Sequence, residues 1–154
     1  MTKPIPRPEF PRPDRERKDW LCLNGEWGFA FDEKNTGEKD GYMNRTRFSK
    51  KITVPYCYQS ELSGVNDLRH SDYIWYHKAF KIPASFGDKR VLLRFGAVDY
   101  IAKVWINGVY LGSHEGGYTP FEFDITSFKG DTCNLTVRCE DRLETEQPRG
   151  KQSH

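Results

Sequence analysis

Short stretches in which apolar and polar positions alternate with period two dominate the chain, the spacing that sends successive side chains to opposite faces of a strand. The clearest covers residues 101–106, where Ala102, Val104 and Ile106 alternate with Ile101, Lys103 and Trp105. Asn107-Gly108 follows, and this pair supplies the two positive-φ residues that a two-residue hairpin turn prefers. Val109, Tyr110 and Leu111 are therefore predicted to return antiparallel, with Gly112 letting the chain leave the ladder. Gly116-Gly117 marks a second sharp turn before Tyr118, Phe121, Phe123 and Ile125. Upstream, Trp27, Phe29 and Phe31 alternate with Glu26, Gly28 and Ala30 as a first strand, and Ile52 and Val54 form a short one ended by Pro55. Residues 73–82 predict a long strand with Ile74, Tyr76, Phe80 and Ile82 on one face and Tyr73, Trp75, His77 and Ala79 on the other. Val91, Leu93 and Phe95 predict another strand, and Leu135, Val137 and Cys139 carry the last, over residues 134–140. No segment holds a helical period for more than about two turns. Many short strands punctuated by Gly and Pro, without an internal repeat, predict an all-β sandwich.

Composition narrows this picture. At 154 residues the chain is the size of one domain able to bury a core, and with 36% hydrophobic but 14% aromatic residues that core is expected to be built on rings. The net charge is +2 with acids and bases interspersed, so there is no basic stripe and no nucleic-acid partner is expected. No apolar run approaches the roughly 20 residues of a membrane span, and the first residues lack the apolar centre of a secretory signal. Cys22, Cys57, Cys133 and Cys139 are scattered without a Cys-x-x-Cys pair; with no signal they read as reduced thiols of a cytoplasmic protein. Residues 1–18 are Pro- and Arg-rich and aperiodic, an extended arm; residues 19–146 are the sandwich; residues 147–154 are a terminal loop.

The segment running from Phe95 through Trp105-Ile-Asn-Gly108 and Glu115-Gly-Gly-Tyr-Thr-Pro-Phe121 to Thr126 resembles the N-terminal sugar-binding domain of family-two glycoside hydrolases, the β-galactosidases and β-glucuronidases. Three more segments agree in order: Arg7-Pro-Glu-Phe-Pro-Arg-Pro13 with Trp20-Leu-Cys-Leu-Asn-Gly-Glu-Trp27, Ile74-Trp75-Tyr76 running into Phe80-Lys-Ile-Pro83, and Gln147-Pro-Arg-Gly-Lys-Gln152. The resemblance implies a jelly-roll, galactose-binding-like sandwich with an accessory role: packing on a catalytic barrel of the same polypeptide, shaping one wall of a β-galactoside or β-glucuronide pocket, and helping to hold a homo-oligomer. It implies no cofactor. In the family, the loop resembling residues 147–152 precedes the closing strands of the domain, so a chain ending at His154 is expected to lack them and to present an open sheet edge.

Glycoside hydrolysis needs two carboxylates flanking the scissile bond, and the resemblance places both on the barrel. Glu122 and Asp124 share a strand face, which reads as solvated surface, so this chain alone is expected to be inactive. The connection Leu62-Ser-Gly-Val-Asn-Asp-Leu-Arg-His70 is the main candidate, because long polar loops carry function. Asn66 donates and accepts and Asp67 accepts, as vicinal hydroxyls require, and the resemblance puts this loop where the domain reaches the sugar. Trp75 reads first as aromatic core packing, with stacking on a sugar as the alternative that makes it a candidate. His114-Glu115 falls short of any metal-ligand set, and Arg149 and Lys151 read as surface charges with contact to anionic sugars as the alternative. Two other functions stay open: a stand-alone carbohydrate-binding module, which needs an exposed ring platform or polar cleft, and a ligand-free interaction domain, marked by a large apolar patch.

Overall fold

A computed structural model describes residues 4–9 and 18–142. Its strands are β1 (Gly25–Phe31), β2 (Lys50–Val54), β3 (Tyr73–Lys81), β4 (Leu92–Phe95), β5 (Ile101–Ile106), β6 (Val109–Glu115), β7 (Phe121–Asp124) and β8 (Thr132–Glu140), and its helical elements are single 3₁₀ turns. They form a jelly-roll β-sandwich of two antiparallel sheets, one ordered β2-β1-β3-β8-β5-β6 and one made by β4 and β7. The period-two patterns map onto its faces. Trp27, Phe29, Ile52, Val104, Ile106, Leu135 and Val137 point from the larger sheet into a core closed by Leu93 and Ile125. Rings do much of the filling: Phe29 lies 4.9 Å from Phe31, 5.4 Å from Tyr76 and 6.0 Å from Tyr58 between centroids.

The Asn107-Gly108 turn forms as the pair requires, with φ of 51° and 77°, and it sets the register of β5 on β6. Gly112 differs from the expectation. The ladder runs on to Ile101↔Glu115, with an irregularity between Val104 and Trp105 that leaves Leu111 without an opposite residue. Gly112 keeps the chain in the sheet at φ 149°, and a Cβ there would sit 2.7 Å from the Phe123 ring. A glycine bulge thus lets β7 pack against β6 rather than releasing the strand.

Among the described residues, β4 pairs only with β7, and the two sheets splay around a groove of about 2200 Å³. Ile74, Tyr76, Phe80 and Val98 face into it, and loops 56–59, 96–100 and 116–119 rim it. The arm reaches the same rim: Asn24 Nδ2 donates to the carbonyls of Pro6 and Arg7 at 3.1 and 3.2 Å. No helix among the described residues is long and apolar enough to cross a membrane.

Leu135 is fully buried at the centre of the larger sheet. Leu135→Ala is expected to lower unfolding free energy by about 2–5 kcal/mol, through lost transfer energy and a residual cavity. Urea titration followed by tryptophan fluorescence checks this, and a loss below about 1 kcal/mol would show that the splayed groove absorbs the change.

Candidate functional site

The outer face of the larger sheet is a second, aromatic core rather than open surface. Asp32 follows β1 directly and caps the next turn: its Oδ1 accepts from the Thr36 N–H at 2.9 Å and its Oδ2 from the Gly37 N–H at 2.9 Å. Trp75 Nε1 donates to the same Oδ2 at 2.9 Å, which ties the loop after β1 onto β3. Gly37 is required by close approach, since a Cβ there would lie 2.6 Å from Trp75 Nε1. The Trp75 indole stacks on Trp105 at 5.5 Å and 24°, with Tyr42 against it at 5.4 Å; a stacked pair adds about 0.5–1.5 kcal/mol beyond area burial. Trp75 is 0% exposed, so its ring faces protein on all sides.

Arg138 fastens the same loop from β8. Its guanidinium donates to Asn35 Oδ1 at 2.8 Å and Glu140 Oε2 at 3.0 Å, lies 3.6 Å from Glu38, and covers the Tyr73 ring at 4.8 Å. Lys103 reaches Glu38 at 2.7 Å. A buried guanidinium left without partners costs several kcal/mol, so these contacts set where the loop lies. His77 is also buried, with Phe48 against its ring and Asn134 Oδ1 3.4 Å from Nε2. Burial lowers its pKa, partly offset by the Asn134 contact.

The connection between β2 and β3 is built on Tyr58 and Ser63. Tyr58 is buried against Phe29 and Phe31, and its hydroxyl accepts from the Ser71 N–H at 3.1 Å. Ser63 Oγ donates to the Ser60 carbonyl at 2.7 Å and accepts from Val65 N–H at 3.0 Å. The Asp67 N–H returns to the Tyr58 carbonyl at 3.1 Å. Asn66 stands exposed at φ 50° on this frame, with asparagine's tolerance of the left-handed region. Asp67 is engaged by its own loop: Arg69 donates to it from Nε at 2.8 Å and from its backbone N–H at 3.2 Å. Asn66 and Asp67 thus occupy one rigid loop, and Trp75 lies on a different face, under the loop after β1. Leu62 and Leu68 point outward, 66% and 83% exposed.

The remaining candidates are quickly placed. Asp124 accepts from the Thr126 hydroxyl at 2.6 Å and backbone N–H at 2.9 Å, which holds its carboxyl below the usual range, the reverse of what a general acid needs. Its strand neighbour Glu122 is exposed, opposite Arg94. His114 stacks on Phe121 at 4.3 Å and meets Thr119 at 3.0 Å, and no cluster of three metal-ligating side chains occurs among the described residues. All four cysteines are unpaired, and burial pushes the Cys139 thiol up to about 12. Arg149 and Lys151 lie outside the described residues.

The sequence reading passed over Asp32, Tyr58, Ser63 and Arg138. Asp32 carries a signal, since Asp followed by small and polar residues after a strand marks an Asx-type turn. Arg138 carries none, because a charge alternating with Val137 and Cys139 reads as a solvated face.

The fold is thus a β-jelly-roll sandwich with an open groove lined by loops. The description "Glycosyl hydrolases family 2, sugar binding domain" matches residues 21–142, and the chain belongs to that family. It is 39% identical over 114 residues to the β-galactosidase of Thermoanaerobacter pseudethanolicus, covering 71% of this chain and 14% of that protein. The dog (Canis lupus familiaris) β-glucuronidase is 31% identical over 151 residues, covering 87% of this chain and 23% of that protein. Among solved structures, Lactobacillus rhamnosus β-glucuronidase superposes with a TM-score of 0.70 at 30% identity, over 79% of this chain and 21% of that one. Ruminococcus gnavus β-glucuronidase gives 0.69 at 29%, with the same two shares. The chain therefore spans less than a quarter of the length of these relatives.

Two outcomes test the outer core. Gly37→Ala is expected to cost about 1–3 kcal/mol, because the new methyl overlaps the Trp75–Asp32 hydrogen bond; urea denaturation reads it, and an unchanged midpoint would mean that the loop shifts freely. For His77, the lowered folded-state pKa means that the unfolded chain binds the proton more readily. Stability is therefore full above the unfolded value near 6.5 and falls as pH drops through it toward the folded value. His77→Gln should flatten the thermal-melt profile between about pH 7 and 5, and identical profiles would remove His77 as the cause.

Proposed function

We propose that this chain serves as the non-catalytic N-terminal sugar-binding domain of a larger β-glucuronidase- or β-galactosidase-like hydrolase. There it packs on a catalytic barrel, shapes one wall of the substrate pocket and contributes to a homo-oligomer. The observation that carries the reading is the family match over residues 21–142 in a chain that spans only 14–23% of relatives that are themselves named hydrolases. The lowered pKa of Asp124 and the self-contained bonding of Asp67 support placing the chemistry elsewhere. Asn66 is the residue of the β2–β3 loop that reaches a sugar hydroxyl in the parent enzyme, supported by its exposed amide on a frame fixed by Ser63 and Tyr58. The four unpaired thiols support a reducing, cytoplasmic setting.

Aryl β-glycosides of several sugars should release nothing above buffer when mixed with this chain, and an immunoblot of source cells should show a band several times heavier than 154 residues. Turnover by the chain itself, or a native band at its own mass, overturns the proposal. In the full-length product, Asn66→Ala should lower kcat/KM about tenfold, the size of one lost hydrogen bond to a neutral hydroxyl.

A further inference from the structure

We infer that Asn24 is a deamidation site, and that its conversion to aspartate or isoaspartate releases the arm of residues 4–9 from the groove rim in one direction only.

Of six asparagines, two precede glycine, Asn24 and Asn107. A glycine there leaves its backbone nitrogen unshielded by a Cβ, so that nitrogen gives up its proton and bonds to the asparagine Cγ. The Cγ–Nδ2 bond breaks, ammonia leaves with that proton, and a five-membered imide remains. Water then opens the imide at either carbonyl, its hydroxyl going to the carbon and its proton to the ring nitrogen. The step consumes only water and replaces a carboxamide with a carboxylate.

The two asparagines use their carboxamides in opposite ways. Asn24 spends its nitrogen, with Nδ2 donating to the carbonyls of Pro6 and Arg7 at 3.1 and 3.2 Å. Asn107 spends its oxygen, with Oδ1 accepting from the Asn134 backbone N–H at 2.8 Å and from Asn134 Nδ2 at 3.3 Å. Carbonyls only accept and a backbone N–H only donates, so the partners fix the orientation of both amides. A carboxylate accepts but does not donate. At position 107 it keeps both bonds, and Asp-Gly suits the same hairpin turn. At position 24 it loses both and sets a negative charge against two carbonyl oxygens. The Arg7 guanidinium does not compensate, because it is turned to Glu9 at 2.5 Å.

The surroundings also order the two reactions. The Asn107 N–H donates to the Asn134 carbonyl at 3.0 Å between paired strands, so turning this residue toward the imide pulls at the β5–β6 register. Asn24 lies just outside the ladder, which begins at Gly25↔Val54. Its partners belong to residues 4–9, which take part in no strand or helix and so open at lower cost than a ladder does. Each opening of the arm frees the Asn24 side chain, and reaction during an opening prevents the arm from closing again. Arg7 and Glu9 line the groove beside Trp20 and Leu23, so the released arm uncovers that side of it.

Incubation of this chain at mildly alkaline pH, followed by peptide mass spectrometry, reads both sites. Asn24 is expected to convert several times faster than Asn107. NMR reads the arm through the contact between the Pro6 δ and Gly25 α protons, since Pro6 Cδ lies 3.9 Å from the point a Gly25 Cβ would take. The Trp27–Ile52 cross-strand contact marks an intact sheet. Aged protein and Asn24→Asp should both lose the Pro6 contact and keep the strand contact, whereas Asn107→Asp should keep both. Faster conversion at Asn107 overturns the inference, as does a Pro6 contact that survives in aged protein carrying the modification at Asn24. Loss of the strand contact in that aged protein overturns it too, since Asn24 would then hold the sheet rather than the arm. The aged wild-type chain gives this reading even where Asn24→Asp fails to fold.

Discussion

The pairing of β3 with β8 is the constraint on which the rest of the domain depends. It joins residues 73–81 to residues 132–140 in continuous antiparallel register, from Tyr73↔Glu140 to Lys81↔Thr132. Both strands lie inside the larger sheet, so each presses two faces against other parts of the chain. Inward, Tyr76 and Val137 meet the ring cluster and the small sheet; outward, Trp75, His77 and Arg138 meet the loop after β1. Removing the ladder would unmake two cores together, because the middle of each strand packs on both faces.

That double burial explains where a function can reside. Trp75 and Trp105 are consumed by the outer core, with Trp75 committed to Asp32 and stacked on Trp105, and Trp27 is buried in the inner one. What remains available is the set of loops at the groove mouth, rigid through their own hydrogen bonds and attached to the scaffold by buried anchors such as Tyr58. Such loops contribute shape and a few directed polar groups, while bond cleavage needs a carboxylate pair held in a protected cleft. The match to the sugar binding domain of glycosyl hydrolases family 2 accords with this distribution.

The open groove has a related origin. Six strands on one side face only two on the other among the described residues, so part of the apolar inner face, including Ile74, Tyr76 and Phe80, lines an open cleft rather than a closed core. Half-covered apolar surface and an unpaired edge are costly for an isolated domain and natural for one embedded in a larger polypeptide.

Much of the fold was legible in the sequence, because strand identity follows from period-two alternation that each segment carries locally. The strands at 101–106 and 134–140, the Asn107-Gly108 hairpin and the inward sets Trp27/Phe29 and Val104/Ile106 needed no knowledge of neighbours. The family's ordered segments were local as well. Only the tertiary structure decided what covers the other faces: Arg138 occupies a position that reads as solvent-facing, and it is buried with Trp75 because the loop after β1 folds back onto both, from 43 residues away at Asp32 for Trp75 and 103 at Asn35 for Arg138. Gly112 became a bulge rather than an exit because Phe123 arrives from another strand. In the β2–β3 loop, Asn66 and Asp67 were equal candidates by chemistry, and only the structure shows that Arg69 bonds to Asp67. Alternation records which residues a strand turns to each side; burial depends on what long-range packing later lays against that side, and no local pattern contains it.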